Sequence, residues 1–280
     1  MSTVPLSRRL TASPSAVVGG IIVALLLIAT ILAYLGFTPY PPAEQHQESR
    51  LQAPSGAFLL GTDQFGRDVF SRVLDGIRLS MQVSVLAVAV AAVVGSAVGL
   101  VAGFFGRWVD TVTMRIADVF FAFPAILLAL AIVTALGPGW RNTSVAIAVV
   151  YTPIFARVAR GPVLSLRTRE YVEAADGLGF HPIRVLLVHI LPNVAAAIIV
   201  QVSLALSWAI LTESSLSFLG LGAQPPQASL GLMISDSRPL AATAWWNFAG
   251  PALVVAVAVI GFNLLGDGLR DALDPTQEND

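Results

Sequence analysis

Six long apolar runs constrain this chain more than any other feature. A helical membrane span needs about 20 predominantly apolar residues. The runs extend roughly from Ala16 to Leu35, Met81 to Phe105, Ile116 to Leu136, Thr143 to Val158, Val194 to Leu211 and Phe248 to Leu265. Charged residues make up only 12% of the chain, against roughly 25% in soluble domains. The mean hydropathy is +0.78. The sequence therefore predicts an all-α polytopic membrane protein with about six transmembrane helices.

The first run follows Arg8 and Arg9 and resembles a signal peptide in position. Its length, and the lack of a small-x-small cleavage site before Pro39, Pro41 and Pro42, favour an uncleaved span. Orientation follows from the arginines. With the N-terminus inside, Arg8, Arg9, Arg107, Arg115, Arg157, Arg160, Arg167, Arg169, Arg184 and Arg270 are cytoplasmic. Arg50, Arg67, Arg72, Arg78, Arg141 and Arg238 are outside, most of them in one long loop where charge has less weight. Both termini are then cytoplasmic, in a multi-pass protein of the cytoplasmic membrane. Trp108, Trp140, Trp245 and Trp246 fall at span ends, at headgroup level. Trp208 falls inside the fifth span and is expected to pack against another helix.

Composition removes several classes of function. Without cysteine there are no disulfides, thiolate metal sites or cysteine nucleophiles. All 16 basic residues are arginine. A P-loop requires a lysine to reach the β/γ-phosphates, so any ATP-driven role needs another chain. A net charge of −1 and the lack of an RNA or DNA motif argue against a nucleic-acid partner. His46, His181 and His189 are too scattered for a metal site, and no clustered carboxylate or nucleophile pattern supports a catalytic centre.

Two loops are longer than a turn requires. The outer one, about 36–80, contains Gly61-Thr62-Asp63 and Gly66-Arg67-Asp68. It continues with Val69, Phe70, Val73, Leu74 and Ile77 at helical spacing. This predicts an amphipathic helix leading into the second span, at the membrane surface or against a partner, with an Asp68–Arg72 pair at i,i+4. The plainer reading is a capped helix entrance with Gly61 and Gly66 as turn residues.

The cytoplasmic loop, about 159–193, predicts a helix from about Thr168 to Leu178, capped by Thr168 or Ser165. Glu170 suits the positive end of its dipole. Gly179 suits a left-handed helix end. A second helix runs from His181 to Ile190, with Pro182 at a tolerated first position, and stops at Leu191-Pro192-Asn193. A helix–glycine–helix unit held between two spans can move as a rigid lever docked in a groove of another protein. An interfacial loop with Arg167, Arg169 and Arg184 on anionic lipid fits the same residues.

Glu173-Ala174-Ala175, then Gly179, then Leu191-Pro192 resembles the EAA loop of ABC importer permeases. Position 189 is His with Ile190 after it, so the hydrophobic residue near the end of the pattern is shifted by one. The motif at 61–68 resembles the C-type permeases of dipeptide and oligopeptide importers. So do Asp118-Val119-Phe120-Phe121-Ala122-Phe123-Pro124, the Glu213–Gly220 segment and the Asn263–Asp271 segment.

The resemblance implies a type I importer fold: residues 1–80 as tail, first span and outer segment, 81–275 as a five-helix core, and 276–280 as a tail. It implies a homologous B-type permease as heterodimer partner, one fused or two separate ATPase subunits that bind the ATP and Mg, and an extracytoplasmic peptide-binding protein. No cofactor is expected in this chain. The coupling helix would comprise Glu170, Tyr171, Val172, Glu173, Ala174, Ala175, Asp176, Gly177 and Leu178, turning at Gly179. Glu173 would contact the ATPase groove.

Asp118, Glu213, Asn263 and Asp267 lie in or beside apolar runs, where polar groups are costly and often functional. Helix capping or interface pairing is favoured over peptide contact, and no substrate residue is nominated. Nickel, glutathione or another small solute is the alternative cargo within the family. A self-sufficient transporter or channel would show inverted repeats or broken half-helices, and no clear repeat between the halves is visible. A membrane enzyme is disfavoured by the missing catalytic constellation.

Overall fold

A computed structural model describes residues 10–11 and 13–273. Arg8, Arg9, the 276–280 tail and the side chain of Asp176 lie outside what it describes. The described residues are mostly helical, with one long connection over 35–68, and contain no strand, only an isolated bridge between Thr62 and Asp68. Five helices are long and apolar enough to cross a membrane, or six spans if one bent pair crosses as a single broken span.

The first span, α1, is Pro14–Tyr34. Ser13 caps it by accepting from the Ala16 N–H, and Pro14 takes a first-turn position where its missing N–H costs nothing. The second span, α2, is Val69–Phe105, with 37 residues. That length is about 55 Å and exceeds a hydrocarbon core of about 30 Å. The outer amphipathic segment is thus the first part of this helix. Part of its apolar face packs within this chain, while Phe70 and Leu74 stay half-buried. Val69, Val73 and Ile77 are buried in a cluster with Leu230, Met233 and Phe262 of the same chain.

The third apolar run is not one helix. It divides into α3, Arg107–Phe121, and α4, Ala125–Leu136, bent by 89°. Pro124 is the cause: its ring removes a helix donor and pushes Phe123 out of the helical region. The fourth span, α5, is Trp140–Leu166 and tolerates Pro153 and Pro162 in its interior. Two short elements follow, α6 (Glu170–Gly177) and α7 (Pro182–Val185).

The predicted stop at Leu191-Pro192 does not occur. A π turn over Leu186–Ile190 joins α7 to α8, Leu191–Phe218, as one continuous span. Pro192 cannot donate to the Val188 carbonyl, and its ring crowds that oxygen. The wider turn absorbs the conflict, with the Leu191 N–H reaching back to the Leu186 carbonyl. Asn193 Nδ2 donates to the His189 carbonyl at 2.7 Å. On the far side lies α9, Leu230–Ser237, and the last span is α10, Trp246–Leu273.

Hydrophobic burial cannot drive helices together in lipid, so close backbone approach must supply the contact. Gly95, Gly99 and Gly103 line one face of α2 at four-residue spacing. A Cβ on Gly99 would strike the Ala156 carbonyl of α5, and one on Gly103 would meet Val163 at 2.9 Å. The α1–α10 contact uses the same device, with Gly19 on the backbone of Leu265 and Gly268 on Ala16. Between α8 and α10, Ser203 Oγ donates to the Phe262 carbonyl at 2.9 Å and Asn263 Nδ2 to Ser207 Oγ at 2.8 Å.

The loop before α2 folds into a cap over α9 and the start of α10. Asp68 does not pair with Arg72. It caps α2, accepting from the Ser71 N–H at 2.8 Å and the Ser71 hydroxyl at 2.6 Å. Arg72 turns instead to Asp63 at 3.5 Å, and Asp63 also binds Arg67 at 2.6 Å. Gly66 has φ +76°, and a Cβ there would collide with the His46 backbone, so this turn requires glycine. Trp246 Nε1 donates to the Thr62 carbonyl at 3.3 Å and pins the cap to α10. Burial holds the nearby Asp236 carboxyl above its ordinary value, against the pull of Arg72 and Arg67.

Candidate functional site

The loop between α5 and α8 folds as a short helix, a glycine turn and a second short helix. Its helix, α6, starts at Glu170 and ends one residue earlier than expected, at Gly177. Neither predicted cap is used: Ser165 Oγ donates to the Pro162 carbonyl and Thr168 Oγ1 to the Ser165 carbonyl. The end does use the predicted glycine. Gly179 has φ +75°, and the Phe180 N–H reaches the Ala175 carbonyl at 3.1 Å. That 6→1 bond satisfies a terminal carbonyl, as a Schellman ending does.

The nominated residues separate into two groups. Val172 and Ala175 are 3% and 4% exposed. They pack with Ala159, Val163, Val185, Leu186 and Ile190, which roots the short helix on α5 and on the start of the α7–α8 span. Glu170, Tyr171, Glu173, Ala174, Gly177, Leu178 and Gly179 are exposed. Leu178 is 77% exposed and Ile183, beyond the turn, 57%. Phe180, Leu187 and Val188 extend this apolar surface. The sequence reading missed these four residues beyond the turn. Arg184 sits 5.0 Å over the Phe180 ring.

Several arginines clamp the same end of the bundle. Arg160 binds Asp110 through two bonds, with Nη2–Oδ2 at 2.6 Å, and ties α3 to α5. Arg167 donates to the Gly103 carbonyl at 3.0 Å, which closes α5 onto the end of α2. Arg157 meets Asp118 at 2.8 Å, beside the break between α3 and α4.

The polar residues within the apolar runs have distinct roles. Glu213 is 1% exposed and bonds across a helix contact, as the interface-pairing expectation has it. Its Oε2 accepts from Ser80 at 2.7 Å, its Oε1 from Ser217 at 2.7 Å, and Ser214 approaches at 3.4 Å. Asn263 is one of the α8–α10 bonds, and Asp267 is exposed near the end of α10. Trp208 does not pack against a helix of this chain: it projects from α8 and is 61% exposed. Its neighbours Ser207 and Ala209 occupy the buried side of the helix.

Comparison with known proteins agrees with this architecture. Residues 95–279 match the family described as binding-protein-dependent transport system inner membrane component. Residues 6–54 match the N-terminal TM domain of oligopeptide transport permease C. The dipeptide transport system permease protein DppC of Alkalihalophilus pseudofirmus is 46% identical, over 97% of this chain and 89% of that protein. The glutathione transport system permease protein GsiD of Pectobacterium atrosepticum is 43% identical, over 96% and 89%. The di/tripeptide transport system permease protein DppC of Pseudomonas aeruginosa is 41% identical, over 93% and 88%.

Proposed function

The chain belongs to the family of binding-protein-dependent transport system inner membrane components, and we propose that it is the C-type permease of an ABC importer that carries di- and oligopeptides inward. The carrying observation is the rooted lever: Val172 and Ala175 fix α6 to two spans while Leu178 and Ile183 stay outside. A helix so mounted transmits force, because its displacement must move the ends of α5 and α8 with it.

In this reading the loop is cytoplasmic, as are both termini, and it docks in a groove of an ATPase subunit. Leu178 and Ile183 fill the groove, and Glu173 makes its polar contact. One fused or two separate ATPase chains bind the ATP and Mg, and their closure draws this loop toward its counterpart on a homologous B-type permease. The two permeases then exchange inward- and outward-facing states, each nucleotide state favouring the arrangement it binds better. An extracytoplasmic binding protein delivers the cargo to the opposite face. This chain contributes a path and a lever and no ATPase chemistry.

A dipeptide cargo is supported by the relative with 46% identity. Glutathione, itself a small peptide, is the second reading, supported by the relative with 43% identity. Uptake assays in cells lacking the chain separate them. Restoring the chain should restore accumulation of a labelled dipeptide. Restored uptake of glutathione or nickel alone would replace peptide as the cargo.

A further inference from the structure

Two independent features meet where α3 joins α4. The first is backbone. Residues 122–124 interrupt the helix, and every residue from Phe121 to Leu127 is exposed on this chain. The 12 residues of α4 rise only about 18 Å, less than a hydrocarbon core of about 30 Å. Taken as one broken span, the bent pair places this break within membrane depth. Non-helical backbone at that depth is tolerated where protein buries it or where it lines water, not against lipid.

The second feature is charge. Asp118 and Arg157 form an ion pair at 2.8 Å whose side chains are 55% and 50% exposed. Arg157 also lies 4.1 Å over the Phe121 ring, which places the pair against the break. Among the described residues the pair shares one hydrogen bond, Arg157 Nη2 to Asp118 Oδ1. A guanidinium has five donors and a carboxylate about four acceptor sites, so most of their hydrogen-bonding capacity points outward. Lipid cannot satisfy it, and a dry protein interface would leave buried charges underbonded.

We infer that this elbow, with Asp118, Arg157 and the backbone around Phe123, lines a water-filled passage on the lever's side of the membrane. Its exposed acid and base suit the charged ends of a zwitterionic solute, and its exposed phenylalanines suit apolar side chains. The inference rests on the permease reading, and its test fails separately from that reading.

The chain contains no cysteine, so single cysteines can be introduced directly. The assembled complex, with its partner permease and ATPase, is placed in lipid nanodiscs and treated with a cationic methanethiosulfonate. Phe123→Cys and Ala122→Cys are compared with Val93→Cys, which is 71% exposed on α2 in an apolar stretch. Because the reacting thiolate forms only in water, Phe123→Cys should react at least about tenfold faster than Val93→Cys. Ala122→Cys gives the same reading if Phe123→Cys fails to assemble. Reaction no faster than Val93→Cys overturns the inference. So does a short cross-link from the elbow to the partner permease with no labelling, which would place the elbow in a dry interface. Fast labelling in a complex that does not move dipeptides supports the passage and refutes the cargo.

Discussion

Ser80 and Glu213, which are 133 positions apart in the chain, are joined by a 2.7 Å hydrogen bond between Ser80 Oγ and Glu213 Oε2. Both side chains are buried, and Ser217 completes the shell around the carboxylate. The bond fastens the N-terminal part of α2 to the C-terminal part of α8.

Glu213→Leu should destabilise the protein by about 2 kcal/mol, because buried hydroxyls lose their acceptor. Glu213→Gln should cost less than about 1 kcal/mol, since the amide still accepts and the hydroxyls can rotate. Thermal unfolding midpoints of the complex in detergent decide this. Equal losses in the two variants would contradict it.

Gly99→Val should weaken the α2–α5 contact by about 1–3 kcal/mol. A Cβ at this position meets the Ala156 backbone, which cannot swing aside. Gly161→Ala, on α5 with open space around it, should leave stability unchanged. Proteolysis rates of the two variants in membranes test the contrast.

At Gly179 no atom lies within 4 Å of an added Cβ. Substitution there meets no clash and suffers only from the left-handed backbone. Gly179→Ala should cost about 1–2 kcal/mol locally, and Gly179→Asn less. Transport should fall more with alanine than with asparagine. Identical transport in the two would show that the turn does not set the lever's shape.

Much of this was legible in the sequence. Long apolar runs located the spans, and Gly179 located the end of α6. What was not legible depended on single prolines and on distant neighbours. Pro124 breaks a span, whereas Pro153 and Pro162 sit inside α5. Local pattern does not distinguish these cases, because neighbouring helices decide whether a freed carbonyl is re-satisfied. Pro192 was read as a stop, yet a π turn carries the helix through it. Asp68 was paired with Arg72 by spacing, but the cap at Ser71 and the arrival of Asp63 from the loop redirect both groups. Of the ten lever residues, the sequence did not separate Val172 and Ala175, which hold the lever, from those that face outward.

That separation predicts opposite phenotypes. Val172→Asp buries an unpaired carboxylate and should destabilise the loop by about 3 kcal/mol or more. Leu178→Asp, at a position 77% exposed, should leave the permease folded and inserted while weakening its hold on the ATPase. Co-purification of the ATPase with each variant, alongside the yield of the permease itself, checks both. Loss of permease yield with Leu178→Asp would contradict the placement.

The most direct test is ATP-dependent uptake of a labelled dipeptide into proteoliposomes that hold this chain, its partner permease and the ATPase, with binding protein supplied. The complex with the native chain should accumulate dipeptide. Glu173→Lys should assemble equally well and still hydrolyse ATP but transport little. Undiminished uptake by a fully assembled Glu173→Lys complex would contradict the account.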